Sequence, residues 1–130
     1  MTRLYVVMAM ETDYAFADQD GWPVEAFTDE AKAKDFVDKW QASKDAYQKL
    51  LDEATTKAAD ESAKLKYDDK KYKGNKGLWL DAKDRIHIDI TQKVYDQEAS
   101  FLGPRYPRNE GDTIGRFARK MFIVNINVSE

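Results

Sequence analysis

The sequence contains no cysteine, which excludes a disulfide framework and thiolate chemistry. It has one histidine, His87, and a lone histidine without a second histidine or a cysteine is a poor transition-metal site. No apolar run is long enough to cross a bilayer, and the N-terminus lacks a signal-peptide pattern. We therefore expect a soluble cytoplasmic protein without a membrane partner, a bound metal or a cofactor.

Charged side chains of both signs are abundant and nearly balanced. The chain of 130 residues has 24 acidic and 21 basic residues, and its net charge of −3 does not indicate binding to nucleic acid. The charges are unevenly distributed, since residues 1–63 are acidic overall and residues 64–130 are basic overall. Such asymmetry permits pairing between copies or an anion site in the second half, and we expect a homo-oligomer.

Proline and glycine are absent from the longest stretch of the chain, between Pro23 and Gly74. Apolar side chains recur there at steps of three, four or seven, which places them on one stripe of a helix. Thr28 or Asp29 is suited to cap the start, and Gly74 is suited to end the helix. The pattern predicts a long amphipathic helix over about residues 28–72.

A helix of this length exceeds the expected size of the protein. Some 45 residues would span roughly 65 Å, against a diameter of about 35 Å for a globule of this length. Either the helix breaks near Thr55 and Thr56, or it projects and needs a partner. We predict one domain, residues 1–130, with a projecting helical arm over about residues 50–80.

Three other stretches predict β-strands and, with the helix, an α+β fold. Residues 4–10 are a short apolar run, and residues 22–27 contain Pro23, which is typical of an edge strand. Residues 117–128 alternate as a half-buried strand does. We expect the three strands to form a small antiparallel sheet with helical material on one face. The apolar side of the last strand comprises Phe122, Val124, Ile126 and Val128.

Residues 79–102 fit two interpretations. As a helix they are apolar on two faces, and such a helix lies between its own core and another surface. As a strand, Arg85–Thr91 alternates with period two, and a hairpin would precede a shorter helix over residues 92–102. We prefer the second helical segment. Helical apolar residues are assigned to the core or to an oligomer seam, and the predicted interface comprises Phe36, Trp40, Tyr47, Leu51, Ile88 and Tyr95.

Arginine is concentrated near the C-terminus, where four of the six arginines lie between residues 105 and 119. Its guanidinium binds phosphate or carboxylate with two hydrogen bonds, and neighbouring aromatic rings offer a stacking surface for a base. The composition predicts an anion or nucleotide site, although the arginines could instead pair with the acidic first half of the chain. The candidate ligand-binding residues are Arg105, Tyr106, Arg108, Arg116, Phe117 and Arg119.

No stretch of the sequence carries a specific catalytic signature. Asp84 and Asp89 lie near His87, but at positions i−3 and i+2 of a helix they do not converge on one face. The glycines at 74 and 77 do not match a phosphate-binding loop, and a turn explains them. We therefore expect a binding protein and not an enzyme.

The first 40 residues predict a distinct order of elements. A strand, Tyr5-Val6-Val7, is followed by an acidic loop and by a short strand that leads into Ala26-Phe27-Thr28-Asp29-Glu30 and a helix. Over residues 4–40 this pattern resembles small phage-encoded accessory proteins. The resemblance implies a non-catalytic anti-defence protein that inhibits a host factor, and it carries over no functional residue. The alternative is a sponge that sequesters a phosphate-bearing signalling molecule through the arginine cluster.

Overall fold

Three strands and three helices make up the described part of the chain. The computed structural model describes residues 2–10, 21–103 and 117–129. This α+β arrangement confirms the predicted fold class, and the helical interpretation of the second segment is confirmed with it. The elements in chain order are β1 (Thr2–Met10), β2 (Gly21–Phe27), α1 (Glu30–Ala63), α2 (Lys76–Tyr95), α3 (Glu98–Leu102) and β3 (Lys120–Val128).

The strands form an antiparallel sheet in the order β2-β1-β3. β1 is central because its continuous apolar run tolerates burial on both faces. β2 is an edge strand that contains Pro23, which has no N–H to donate to a further strand. The β1–β2 register shifts between Val7 and Met8, whereas β1 and β3 pair without interruption over nine residues.

The first half of α1 packs against one face of this sheet. Val7 and Ala9 of β1 are fully buried there, together with Ala33 and Trp40 of α1. The start of the helix is capped by Asp29, whose carboxylate accepts the Ala31 N–H at 2.9 Å. Burial of these apolar side chains supplies the main driving force for joining helix and sheet.

The face of β3 that contacts this core is the less apolar one. The register pairs Val7 with Ile123 and Ala9 with Met121, so the odd-numbered residues of β3 lie on the side of α1. The alternation in the sequence indicates the even-numbered side as the buried one. The structure instead directs that side away from α1, where Val124, Ile126 and Val128 are exposed.

The long helix is shorter than predicted, since α1 ends at Ala63 and not near residue 72. It does not break at Thr55, whose hydroxyl donates to the Leu51 carbonyl at 2.8 Å within an unbroken helix. Beyond Ala63 the side chain of Asp68 accepts two backbone N–H groups, and this local turn replaces helical hydrogen bonds. Neither proline nor glycine lies at this end of the helix. The predicted helix is too long because the residues after Ala63 keep the helical periodicity.

The chain divides into two compact units. The first comprises Met1–Asp45 and Ala99–Glu130 and holds the sheet with the first half of α1. The second, Ala46–Glu98, is a helical hairpin formed by the rest of α1, a connection and α2. The predicted arm of residues 50–80 lies inside this second unit, and its projection stays a prediction.

Candidate functional site

Most of the predicted arginine cluster lies outside the described residues, namely Arg105, Tyr106, Arg108 and Arg116. Of the remaining two, Phe117 is half-buried and Arg119 is exposed. The backbone of Arg119 forms two hydrogen bonds. Its N–H donates to the Met10 carbonyl at 2.7 Å, and its carbonyl accepts from Lys44 Nζ. The nucleotide site therefore stays a prediction.

The predicted interface residues fall into two groups. Ile88 and Tyr95 are exposed, with 53% and 48% of their surface accessible. The others contribute to the interior of their own unit and are buried or half-buried: Phe36, Trp40, Tyr47 and Leu51. Of these six predicted interface residues, only Ile88 and Tyr95 are available to a second protein without rearrangement.

A row of exposed apolar side chains runs along α2. Leu80, Ile88 and Tyr95 are each about half accessible. Ile88 and Tyr95 are seven residues apart and lie in one row, and Leu80, eight residues before Ile88, is rotated about 80° from it around the helix axis. We call these three residues the α2 stripe. The opposite side of α2 faces the hairpin interior through Ile86, Ile90 and Val94, which are half-buried or buried. Of the second apolar side predicted for this helix, Ile88 and Tyr95 are exposed, whereas Thr91, which lies between them in the same row, is buried.

Acidic side chains lie within and beside the first half of the α2 stripe. Asp81 and Asp84 lie between Leu80 and Ile88 along the helix, and both are exposed. Neither forms a salt bridge with another described residue. Asp84 is four residues from both Leu80 and Ile88 and lies between them on the same side of the helix, so this end of the stripe carries negative charge that would attract basic groups on a partner.

An aromatic cluster closes the end of the hairpin where α1 is connected to α2. The Trp79 ring meets Tyr67 edge-on at 5.7 Å between ring centroids, and Tyr67 stacks on Tyr72 at 6.1 Å. The indole Nε1–H of Trp79 donates to the Leu65 carbonyl at 2.9 Å. Three lysine ammonium groups lie over these rings and keep the cluster partly covered: Lys71, Lys76 and Lys83.

The other end of α2 is held by Tyr47 of α1. Burial raises the pKa of the Tyr47 hydroxyl to about 12, and the negative charge of Glu98 and its hydrogen bond to the phenol add to this rise. Tyr95 contributes a further electrostatic part. The phenol therefore stays protonated at neutral pH and connects α1 to the residues that follow α2.

Other polar surfaces of the described chain are weaker candidates for a site. An open depression on α1 is lined by both acids and lysines, and Glu61 and Lys64 in it form a salt bridge of 3.0 Å. This mixture of signs favours neither an anion nor a cation. His87 is exposed on α2. Within residues 2–10, 21–103 and 117–129 there is no grouping of three His, Asp or Glu side chains able to hold a metal ion.

Comparison with known proteins gives no match. No protein-family model fits the chain, and neither a curated protein nor a solved structure is significantly similar to it. The helices that the structure describes include none with the length and apolar character needed to span a bilayer.

Proposed function

We propose that this chain is a non-catalytic binding protein that contacts another protein through the α2 stripe. The observation that carries this proposal is the exposure of Ile88 and Tyr95 in one row, with Leu80 exposed on the same half of the helix surface. An amphipathic helix commonly binds a groove through apolar anchors that recur along one side. Large apolar side chains grouped on a surface indicate an interaction site more strongly than single ones do.

The chemistry of the stripe defines the class of partner. An apolar groove would accept Ile88 and Tyr95, and lysine or arginine on its rim would pair with Asp81 and Asp84. The resemblance to phage accessory proteins supports a host protein as the partner, with inhibition by occupation of that groove. The lack of cysteine supports the cytoplasm as the place of action, as part of the same proposal.

The hairpin supports this role because it holds α2 in place before binding. Ile86, Ile90 and Val94 anchor its inner side within the hairpin. The aromatic cluster around Trp79 holds the first end, and Tyr47 holds the last end. A helix that is already ordered loses little conformational entropy when it binds, so a small number of anchors is enough.

A pair of variants with the same change of charge tests the proposal. Ile88→Glu places a carboxylate in the middle of the stripe, whereas Lys93→Gln changes the net charge by the same amount elsewhere on α2. Each purified protein is used to capture proteins from a host lysate, and each captured candidate is purified and titrated by calorimetry. An apolar anchor of this kind carries 2 kcal/mol or more, so Ile88→Glu should weaken binding by about 30-fold.

The control should bind within about threefold of the unmodified chain, since exposed charges away from the contact contribute little. Circular dichroism checks that both variants retain their helices. A partner that binds all three proteins with equal affinity would refute the α2 stripe as its contact. The absence of any partner sensitive to Ile88→Glu would refute the proposed function itself.

A further inference from the structure

The face of the sheet that points away from α1 is apolar across two strands. We define the outer sheet face as Leu4, Val6 and Met8 of β1 with Val124, Ile126 and Val128 of β3. The register places Leu4 opposite Ile126 and Val6 opposite Val124, so these side chains form one continuous surface. The exposed fraction is 36% for Val124, 44% for Ile126 and 39% for Val128. On β1, Leu4 and Met8 are half-buried and Val6 is buried, so the exposed part of the face lies on β3.

We infer that a second copy of this chain covers this surface, so that two outer sheet faces pack against each other around a two-fold axis. Two layers of sheet packed in this way lie about 10 Å apart and interdigitate their side chains. Each copy would then have α1 on one side of its sheet and the partner's sheet on the other. The apolar residues of β3 would be buried, as their alternation in the sequence indicates.

The distribution of charge favours a second copy over a charged partner. From Met121 to Val128 β3 has no charged residue, and neither does β1 from Leu4 to Met10. Lys120 lies at the end of the face, opposite Met10. Two copies can therefore meet without burying like charges, which is costly in the absence of a partner charge. A partner with a charged contact surface would find no complementary group there.

The area of the outer sheet face determines the expected affinity of the dimer. The face spans two strands of nine residues, which give a footprint of roughly 30 Å by 10 Å, so two copies would bury on the order of 600 Å². This area is below the 1,000 Å² or more of stable interfaces and is typical of weak, reversible ones. We therefore expect a dimer that forms in the micromolar to high-micromolar range.

Two copies could instead pair through the edges of their β3 strands. Substitutions at two adjacent residues of β3 distinguish this arrangement from the face-to-face one. Ile126 belongs to the outer sheet face, whereas Asn125 is exposed on the other side of the same strand. Lysine at either position would enter an edge-to-edge contact, in which the two strands lie side by side. In a face-to-face contact, only a lysine in place of Ile126 would lie within the interface.

Sedimentation equilibrium on the full chain measures the outcome. The unmodified chain and Asn125→Lys should rise from 15.0 kDa toward twice that mass as concentration increases to several hundred micromolar. Ile126→Lys should remain at the mass of one chain over the same range. A monomeric unmodified chain would overturn the inference. So would loss of the dimer in both variants, which identifies the edge, or in neither, which identifies another surface.

Thiol reactivity supplies a second readout, because the chain has no cysteine of its own. A maleimide should react several-fold more slowly with Ile126→Cys at high protein concentration than at low concentration. Asn125→Cys should react at the same rate at both concentrations. Protection of Ile126→Cys at every concentration would mean that the chain itself covers the face, which overturns the inference.

The dimer and the partner contact of the α2 stripe use different surfaces, so the two can be tested separately. Ile88→Glu changes the α2 stripe and leaves the outer sheet face intact, so it should still dimerise like the unmodified chain. Ile126→Lys should still bind the partner of the α2 stripe. If Ile88→Glu alone abolished the dimer, the second copy would occupy α2 and the face-to-face arrangement would be wrong.

Discussion

The indole of Trp79 donates a hydrogen bond of 2.9 Å to the backbone carbonyl of Leu65. Leu65 lies just beyond the end of α1, where carbonyl groups have lost their helical donors and need another partner. The bond therefore connects the chain leaving α1 to the first turn of α2. It explains how a polar connection of some twelve residues between the two helices keeps a defined course.

Replacing Trp79 by phenylalanine should destabilise the hairpin. The change retains most of the ring contact with Tyr67 but leaves the part-buried Leu65 carbonyl without its donor, which costs about 1–2 kcal/mol. Urea unfolding at neutral pH measures the loss. Lys83→Gln is the matched control, because it removes only the ammonium group above the same ring and should cost at most about 0.5 kcal/mol. Equal stability of both variants would contradict a role for the hydrogen bond.

Stability should fall at high pH because of Tyr47. Its pKa is raised from 10.0 to about 12, so the folded chain retains this proton while an unfolded chain releases it. The contribution is complete below pH 10 and disappears as the pH rises toward 12, by about 3 kcal/mol in all. Unfolding free energies measured at intervals across this window should show the fall, and Tyr47→Phe should reduce it.

The comparison of two tyrosines separates this effect from the titration of lysines. Tyr5→Phe removes a half-buried tyrosine of the sheet and does not affect the contact with Glu98. It should therefore leave the alkaline loss of stability unchanged. At neutral pH Tyr47→Phe should itself cost about 1 kcal/mol, because the hydrogen bond to Glu98 is lost. An identical pH dependence in both variants would contradict the raised pKa.

Two neighbouring alanines test the packing inside the hairpin. Ala58 is fully buried and Ala59 is exposed, although both lie in the second half of α1. Ala58→Leu inserts three carbons into a packed interior and should destabilise the chain by about 1–3 kcal/mol. Ala59→Leu should change stability by less than about 0.5 kcal/mol. Thermal or urea unfolding gives both values, and a harmless Ala58→Leu would show that this side of α1 is loosely packed.

Much of the fold could be predicted because its signals are local. The apolar run of β1, the proline in β2 and the alternation of β3 each depend on a few consecutive residues. The end of α1 could not be predicted, since residues 64–72 continue the helical period. The connection that follows Ala63 is held by side-chain contacts of Asp68 and Trp79, which form only in the folded chain.

The candidate site was only partly predictable from the sequence. The second apolar side of α2 could be read from its periodicity, including Ile88 and Tyr95. Leu80 was missed because it falls between the two sides in the sequence pattern, and only its exposure assigns it to the stripe. The orientation of β3 was missed for another reason. Alternation identifies two faces of a strand but does not say which one a helix will cover.

Substitutions at Lys73 and Gly74 should change stability in opposite directions. Gly74 has a φ of 71°, and an added Cβ would meet nothing nearer than the Asp69 carboxylate at 4.0 Å. Gly74→Ala should therefore cost about 1 kcal/mol through backbone strain alone. Lys73 has a φ of 55°, so Lys73→Gly relieves strain but also makes the unfolded chain more flexible. We expect a gain of at most about 0.5 kcal/mol, measured by urea unfolding, and equal losses at both positions would contradict the left-handed conformation of this turn.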